Sequence, residues 1–339
     1  MPAATLRSLI PAEVFPLPQF RSSLAVLGLA ALTLAGCGAS QKPAVSSPPK
    51  PKAVSVAYAG SLDYMNDQVL GPAFTKATGI AYSGRGNGSW AMANELKGGV
   101  VQADVFESVG TGPIASLGSG LATWAVGFAT SPLVVAYNPK SRFAPEFEAI
   151  AAGRKPIQDL FTLLATPGLH LGRTDPSTDP QGQAFYLMVE LAQKVYHLPA
   201  GTAQHILGAW NNPQEVFSEE GLPTQLEAGG LDAASAFLPQ ALQLHLHYVA
   251  LPAKLDFADP AEAGLYQSVS MQIPSVGTVH GTLSLLDITV LKGKNTAAGD
   301  AFAAFLLGKA QVHLWRSEGY QPIAPIVWGK RGEVPKGLL

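Results

Sequence analysis

The chain has 339 residues, of which 47% are hydrophobic and 14% charged, and its formal net charge is −2. That length exceeds one ordinary core and suffices for two lobes, and the composition is that of a well-buried globular protein rather than a disordered one. No basic stripe exists to neutralise phosphates, which argues against a nucleic-acid partner. So near-neutral a surface does not steer anions from a distance, so any anion site has to be local.

Residues 22–36 follow Arg21 and carry no charge. They hold an apolar run of roughly 13 residues, too short for a comfortable membrane span of about 20 and right for a signal-peptide core. The run ends in Leu34-Ala35-Gly36-Cys37. This resembles the bacterial lipobox, in which cleavage before the cysteine leaves a thiol that carries a diacylglyceryl group. An ordinary secretory signal with a chance cysteine is the other reading. Cys37 is the sole cysteine, so neither an intramolecular disulfide nor a cysteine zinc site is possible. Residues 37–52 are rich in Pro, Ser and Lys without an apolar period, as a stiff tether is. The expectation is a signal peptide over 1–36, a lipid anchor at Cys37 on the extracytoplasmic face of the cell membrane, and a tether over 37–52.

Residues 54–58 read as a strand. Residues 62–76 read as a helix, with Leu62, Met65, Val69 and Phe74 at helical spacing and Thr78-Gly79 as the stop. A strand at 80–82 leads into a glycine-rich turn, Gly84-Arg85-Gly86-Asn87-Gly88-Ser89, and a helix restarts over 90–96. Strands at 105–108, 133–137, 169–172 and 283–291 alternate with helices at 157–164, 182–196, 295–307 and 313–318. This alternation predicts βαβ units and a largely parallel sheet covered on both faces.

Two small-residue turns, Ala59-Gly60-Ser61-Leu62 and Gly86-Asn87-Gly88-Ser89-Trp90, each set a serine at a strand-to-helix junction. Read alone, each is an ordinary cap and turn. The same physics suits an anion, because a helix N-terminus offers N–H groups and partial positive charge and the hydroxyl adds a donor. Arg85 stands beside the second turn, either assisting it or solvated. A third motif runs from Arg173 through two Asp-Pro pairs, Asp175-Pro176 and Asp179-Pro180, to Gln183, a rigid loop before the long helix. A fourth holds Glu219-Glu220, a pair that is ordinarily solvated surface.

Six segments occur in one order: AGSL (59–62), GNGSW (86–90), ADVFESV (103–109), SPLVVAYNP (131–139), RTDPSTDPQGQAFYLMVELA (173–192) and LEAGGLDAASAF (226–237). In order and spacing they resemble the molybdate/tungstate-binding proteins of ABC importers, and their tungstate/molybdate branch more than the enterobacterial molybdate branch. The likeness covers nearly all of the chain from about residue 53 and includes its tail. It implies an α/β, two-lobed type II periplasmic-binding-protein fold, each lobe a βαβ sheet, joined by two crossover hinge strands near 132–138 and 283–291. Lobe 1 would hold 53–131 plus 284–339 and lobe 2 would hold 132–283.

The resemblance also implies a ligand set. Ser61 and Ser89, with Gly60, hydrogen-bond the oxyanion from lobe 1. Asp179, with Pro180 and Gln181 beside it, contacts it from lobe 2, and Glu219 falls on the ligating glutamate, one place before Glu220. In that branch the Asp and Glu oxygens join the oxyanion's four around a six-coordinate metal, which suits a hard Mo(VI) or W(VI) centre. Two carboxylates beside a dianion repel it unless they bond the metal or one is protonated. The chain departs from the family where its second-lobe tyrosine falls on Phe237, which has no hydroxyl.

No Gly-x-Ser-x-Gly elbow, Walker A loop, His-Glu-x-x-His or Cys-x-x-Cys occurs. His245 and His247 would share one strand face, a pair more often exposed than zinc-binding. With no nucleophile and base, an enzyme is not expected, nor a cofactor, nor a free metal cation. The expectation is a monomeric substrate-binding lipoprotein that captures molybdate or tungstate between its lobes and docks on a membrane ABC permease. The alternatives are a receptor for sulfate, phosphate or another small oxyanion, and a surface lipoprotein sensor that transports nothing.

Overall fold

The computed structural model describes residues 51–339 apart from Lys294. The expected signal segment, Cys37 and the tether as far as residue 50 lie outside the described residues. The first strand, β1 (Ala53–Ala59), buries Val54, Val56 and Tyr58 in one apolar cluster and Ala57 in another. A strand covered on both faces is a central one, and small and β-branched residues suit it. Then come β2 (Ala81–Asn87), β3 (Val105–Val109) and β4 (Trp124–Thr130). The chain crosses to a second sheet and lays down β5 (Leu133–Tyr137), β6 (Leu171–Thr174), β7 (Val216–Phe217), β8 (Ala233–Phe237) and β9 (His247–Ala250). A hairpin of β10 (Ser270–Ile273) and β11 (Gly277–His280) precedes the return into β12 (Leu285–Val290) and β13 (Gln321–Gly329).

The first sheet has six strands in the order β13-β4-β12-β3-β1-β2, and the second has five in the order β7-β6-β8-β5-β9. Both are mixed, where the sequence predicts a largely parallel arrangement. The reason is the double crossing. β1, β2 and β3 run parallel, while β12 lies antiparallel between β3 and β4 and β13 antiparallel to β4. The strands laid down before the crossing thus run one way and the two that return run the other. In the second sheet only β5, by which the chain arrives, opposes its neighbours. The crossings are tied where they pass, Ser131 N–H donating to the Ser284 carbonyl at 2.9 Å. This is the two-lobed type II architecture that the resemblance implies.

Two local expectations are corrected. The helix expected over 62–76 is three pieces: a 3-10 turn at Gly60–Leu62, a π-helix at Tyr64–Leu70 and helix α1 (Gly71–Thr78). Wider π-helical turns gather at functional sites, and this one directly follows Ser61. The glycine-rich turn at 84–89 is instead mostly strand, since β2 continues through Asn87. The Tyr58 ring lies over it, and a Cβ on Gly86 would come within 2.8 Å of that ring. The missing side chains are therefore what let this edge strand close on its neighbour.

Four more helices matter for the site: α2 (Ser89–Lys97), α3 (Pro180–Val195), α4 (Gly221–Glu227) and α5 (Leu238–Gln243). Helix α2 covers one face of the first sheet through Met92, Ala93 and Leu96. Helix α4 covers one face of the second through Leu222 and Leu226, against Val134 and Ala234. Among the described residues no helix is long and apolar enough to cross a membrane.

Candidate functional site

Four strand ends deliver the candidate side chains. β1 runs out at Ala59 into the Gly60–Leu62 turn, which buries Ser61. β2 ends at Asn87, Gly88 follows, and Ser89 opens α2, fully buried. The Ser89 Oγ accepts the Val109 N–H at 3.1 Å, so the start of α2 is pinned to the end of β3. From the second lobe, Asp179 caps α3, its Oδ1 accepting the Gln181 N–H at 2.9 Å, with Pro180 as the first helical residue. Both are favoured choices at those positions. Glu219 comes from the loop between β7 and α4. It is buried while Glu220 beside it is exposed.

The structure brings Ser61, Glu219 and Asp179 together. Glu219 is buried and neither of its oxygens makes a hydrogen bond of normal geometry, and the same holds for Asp179 Oδ2. Burial pushes Glu219 well above the usual carboxylate range, with Asp179 and then Glu220 adding to the shift, while the N–H and hydroxyl of Ser61 pull it back. Burial likewise pushes Asp179 up to about 6, with the Gln181 N–H opposing. Among the described residues no cation relieves them. Arg85 turns outward to Glu95 at 3.0 Å. Arg173 is buried but bonds the carbonyls of Leu207, Ala209 and Trp210. It also lies 3.6 Å from Glu215. Two adjoining buried carboxyls without a counter-ion cannot both be ionised cheaply, so burial and their mutual repulsion both favour protonation of the pair.

Not every predicted donor faces this pair. The Gln181 side chain is held within the second lobe, donating to Gln240 at 3.2 Å and accepting from Ser235 at 2.9 Å. At the start of α2, the N–H groups of Trp90 and Ala91 both donate to the Thr178 carbonyl, at 3.0 and 3.3 Å. That contact joins the lobes directly, and Gly88 permits it, because a Cβ there would stand 2.8 Å from the Thr178 oxygen. On one side of the carboxyl pair lies a cavity of about 330 Å³ lined by Gly60, Ser61, Glu219, Gln240 and Gln243. Another, of about 310 Å³, is lined by Trp90, Pro180 and Gln183.

Three residues have roles that the sequence reading did not assign. Arg173 ties the loop that leads to Glu219 onto β6. Tyr320, buried in the tail, donates its hydroxyl to the Ser61 carbonyl at 3.3 Å. Gln243 ends α5 with its amide nitrogen buried. Nothing local marks them, since each acts on partners tens to hundreds of residues away. Among the described residues no group of three or more His, Cys, Asp and Glu is arranged to hold a metal ion. His247 instead packs edge-on to the Tyr137 ring.

Comparison with known proteins follows the same line. A family profile described as "Bacterial extracellular solute-binding protein" matches residues 54–321. The putative ABC transporter molybdenum-binding protein of Haloferax volcanii is 31% identical over 187 residues, 55% of this chain and 57% of that protein. The molybdate/tungstate-binding protein WtpA of Pyrococcus abyssi is 27% identical over 238 residues, 62% of this chain and 66% of that protein. Both matches span less than two thirds of the relative's own length. The solved periplasmic molybdate-binding protein of Azotobacter vinelandii superposes with a TM-score of 0.55 at 17% identity, covering 79% of this chain and 98% of that one. At that identity the likeness is one of fold.

Proposed function

The chain belongs to the bacterial extracellular solute-binding proteins, and from that premise we propose that it is the receptor of an ABC importer for molybdate or tungstate. The observation that carries this reading is the buried pair of Asp179 and Glu219 with no counter-cation among the described residues. Such a pair offers no positive charge to a sulfate or phosphate ion, whose central atom takes no further ligand. It suits an oxyanion whose Mo(VI) or W(VI) accepts two more oxygen donors. The Ser61 hydroxyl and N–H and the Ser89 hydroxyl would hold the oxo groups, as neutral donors do for a charged acceptor. Two relatives whose names specify molybdenum, or molybdate and tungstate, support the same substrate class.

The ligand would lie between the lobes, which we take to move as bodies formed by 53–131 plus 284–339 and by 132–283. Their closed form would present the solute to a membrane permease. The Leu34-Ala35-Gly36-Cys37 sequence supports anchoring of a monomer by lipid at Cys37. Loss of radiolabelled palmitate incorporation in Cys37→Ser checks that part, and retained label would discard it.

Thermal unfolding of the full chain in mild detergent, with molybdate, tungstate, sulfate and phosphate in turn, tests the substrate. At about 100 times its Kd a ligand adds about 2.7 kcal/mol, a shift of several degrees. A shift with molybdate or tungstate and none with sulfate is expected. A shift with sulfate or phosphate alone would keep a receptor and discard the metal oxyanion. No shift with any of the four would sink the proposal.

A further inference from the structure

We propose that Tyr320 is a positioning residue of this site, its hydroxyl holding the Ser61 peptide from below and meeting Gln243 across the lobes, so that the pair slows release of a bound oxyanion. The inference rests on the molybdate or tungstate reading above and adds residues that it does not contain.

The first part of the case is geometric. Tyr320 comes from the returning tail of the first lobe and is buried. Trp315 stands edge-on to its ring at 4.9 Å, and Phe128 packs on Trp315 at 5.1 Å, so the phenol has one place to be. Its hydroxyl donates to the Ser61 carbonyl at 3.3 Å. A peptide unit is planar. Fixing that carbonyl therefore fixes the Ser61–Leu62 peptide plane, one side of the Ser61 Cα from which the hydroxyl and, through the preceding peptide, the N–H face Glu219.

The second part is the far side of the same hydroxyl. Gln243 belongs to the second lobe, at the end of α5, and its side chain lies against Tyr320 and lines the cavity beside Glu219. Its amide nitrogen is buried without a hydrogen bond of normal geometry, a donor with one evident neighbour to satisfy it. The backbone beside Tyr320 seals the contact. Gly319, at φ 87, is so close to α5 that a Cβ would come within 2.7 Å of Leu242 and 3.3 Å of the Pro239 nitrogen. Tyr320 thus touches the lobe-1 ligand turn and a lobe-2 helix at once, and opening the lobes separates Gln243 from it. A contact made only in the closed state acts on departure more than on arrival.

The test is stopped-flow tryptophan fluorescence of the full chain in detergent with molybdate and tungstate, for wild type, Tyr320→Phe, Gln243→Ala and the double variant. Tyr320→Phe keeps the ring and its packing. It is expected to speed release about tenfold, the size of one neutral hydrogen bond, with the association rate changed less than about twofold. Gln243→Ala is expected to do the same, and the double variant to be no faster than either alone. Release unchanged in Tyr320→Phe, or effects that multiply in the double variant, would overturn the proposal while leaving the substrate reading intact. A fall in association rate equal to the rise in release would mean a merely structural role and overturn it too. Wild type that binds neither anion would overturn both.

Discussion

Gly60 and Glu219 come from opposite lobes and leave no room for one more carbon between them: a Cβ on Gly60 would stand 2.4 Å from Glu219 Oε2 and 2.8 Å from its Cδ. Gly60 is not among the glycines held at positive φ. An alanine there strains no backbone, and its methyl collides only when the lobes meet. Gly60→Ala is therefore expected to leave the ligand-free protein folded, with its Tm within a few degrees of wild type. Its molybdate affinity should fall about 100-fold or more, because closure is what the methyl opposes. Isothermal titration beside a thermal melt checks both halves, and unchanged affinity would show that Glu219 simply swings aside.

The buried pair gives a second prediction with a definite sign. A carboxyl whose folded pKa is raised favours the fold at pH below its unfolded value, and that contribution is lost as pH rises through the folded value. Asp179, pushed up to about 6 by burial, loses its share between about pH 4 and pH 6, and Glu219, raised well above the usual carboxylate range by burial and by Asp179, loses its own as pH rises through its folded value. Asp179→Asn keeps the cap on α3, since asparagine caps as well as aspartate. At pH 8 it should raise the ligand-free Tm by a few degrees, and Glu219→Gln should do likewise. Both should abolish the stabilisation by molybdate. Variants that melt earlier than wild type at pH 8 would contradict the account of an uncompensated pair.

Much of this was legible in the sequence, and the failures have physical causes. Residues 133–137 are a strand in both readings because a short β-branched run has little else to be. Helix α3 was marked by Asp179-Pro180, whose chemistry at an N-terminus is local, while Ser89 opens α2 without capping it, the cap position falling to Gly88. The glycine run at 84–88 misled because turn propensity describes a chain in isolation, and here the Tyr58 ring takes the space that side chains would fill. The break in the helix after Ser61 was hidden for a related reason. Apolar residues at 62, 65, 69 and 74 fit several helical periods over so short a stretch, and the turn into the site selects the wider one. Tyr320 and Arg173 carry no local signature, since their meaning lies in distant carbonyls.

Ser89 joins folding to function through one oxygen. Its Oγ accepts the Val109 N–H, a buried backbone donor. Ser89→Ala leaves that donor without its partner, which costs about 1–3 kcal/mol. It also removes the hydroxyl proposed to hold an oxo group. The variant should unfold at lower urea concentration with an unchanged m-value, and bind molybdate about tenfold more weakly. Ser89→Thr, which restores the oxygen, should recover most of the stability if the β-branch is accommodated. Weakened binding with wild-type stability would place the hydroxyl away from Val109 in solution.

Away from the site, Glu107 makes the pH dependence testable without touching ligand contacts. It sits in the middle of β3 with no exposed surface, and its Oε2 accepts a long 3.4 Å bond from Asn66 Nδ2. Burial pushes it to about 8, against the small opposing effect of that amide. Asp287, on the neighbouring β12, is pushed to about 7 by burial, with the Thr111 hydroxyl opposing. Each is raised in the fold, so each favours the folded state most in acid and loses that contribution as pH climbs through its folded value. Wild-type Tm should therefore fall between about pH 4 and pH 8 and level off above that. Glu107→Gln keeps the shape, keeps an oxygen for Asn66 and has nothing to ionise. Its melting curve should coincide with wild type near pH 4 and lie a few degrees above it once pH passes about 8, flattening the decline. Parallel curves across that range would mean that Glu107 ionises no harder in the folded protein than in the unfolded chain. The fall in Tm would then belong to Asp287, which Asp287→Asn would reveal by flattening the decline between about pH 4 and pH 7 instead.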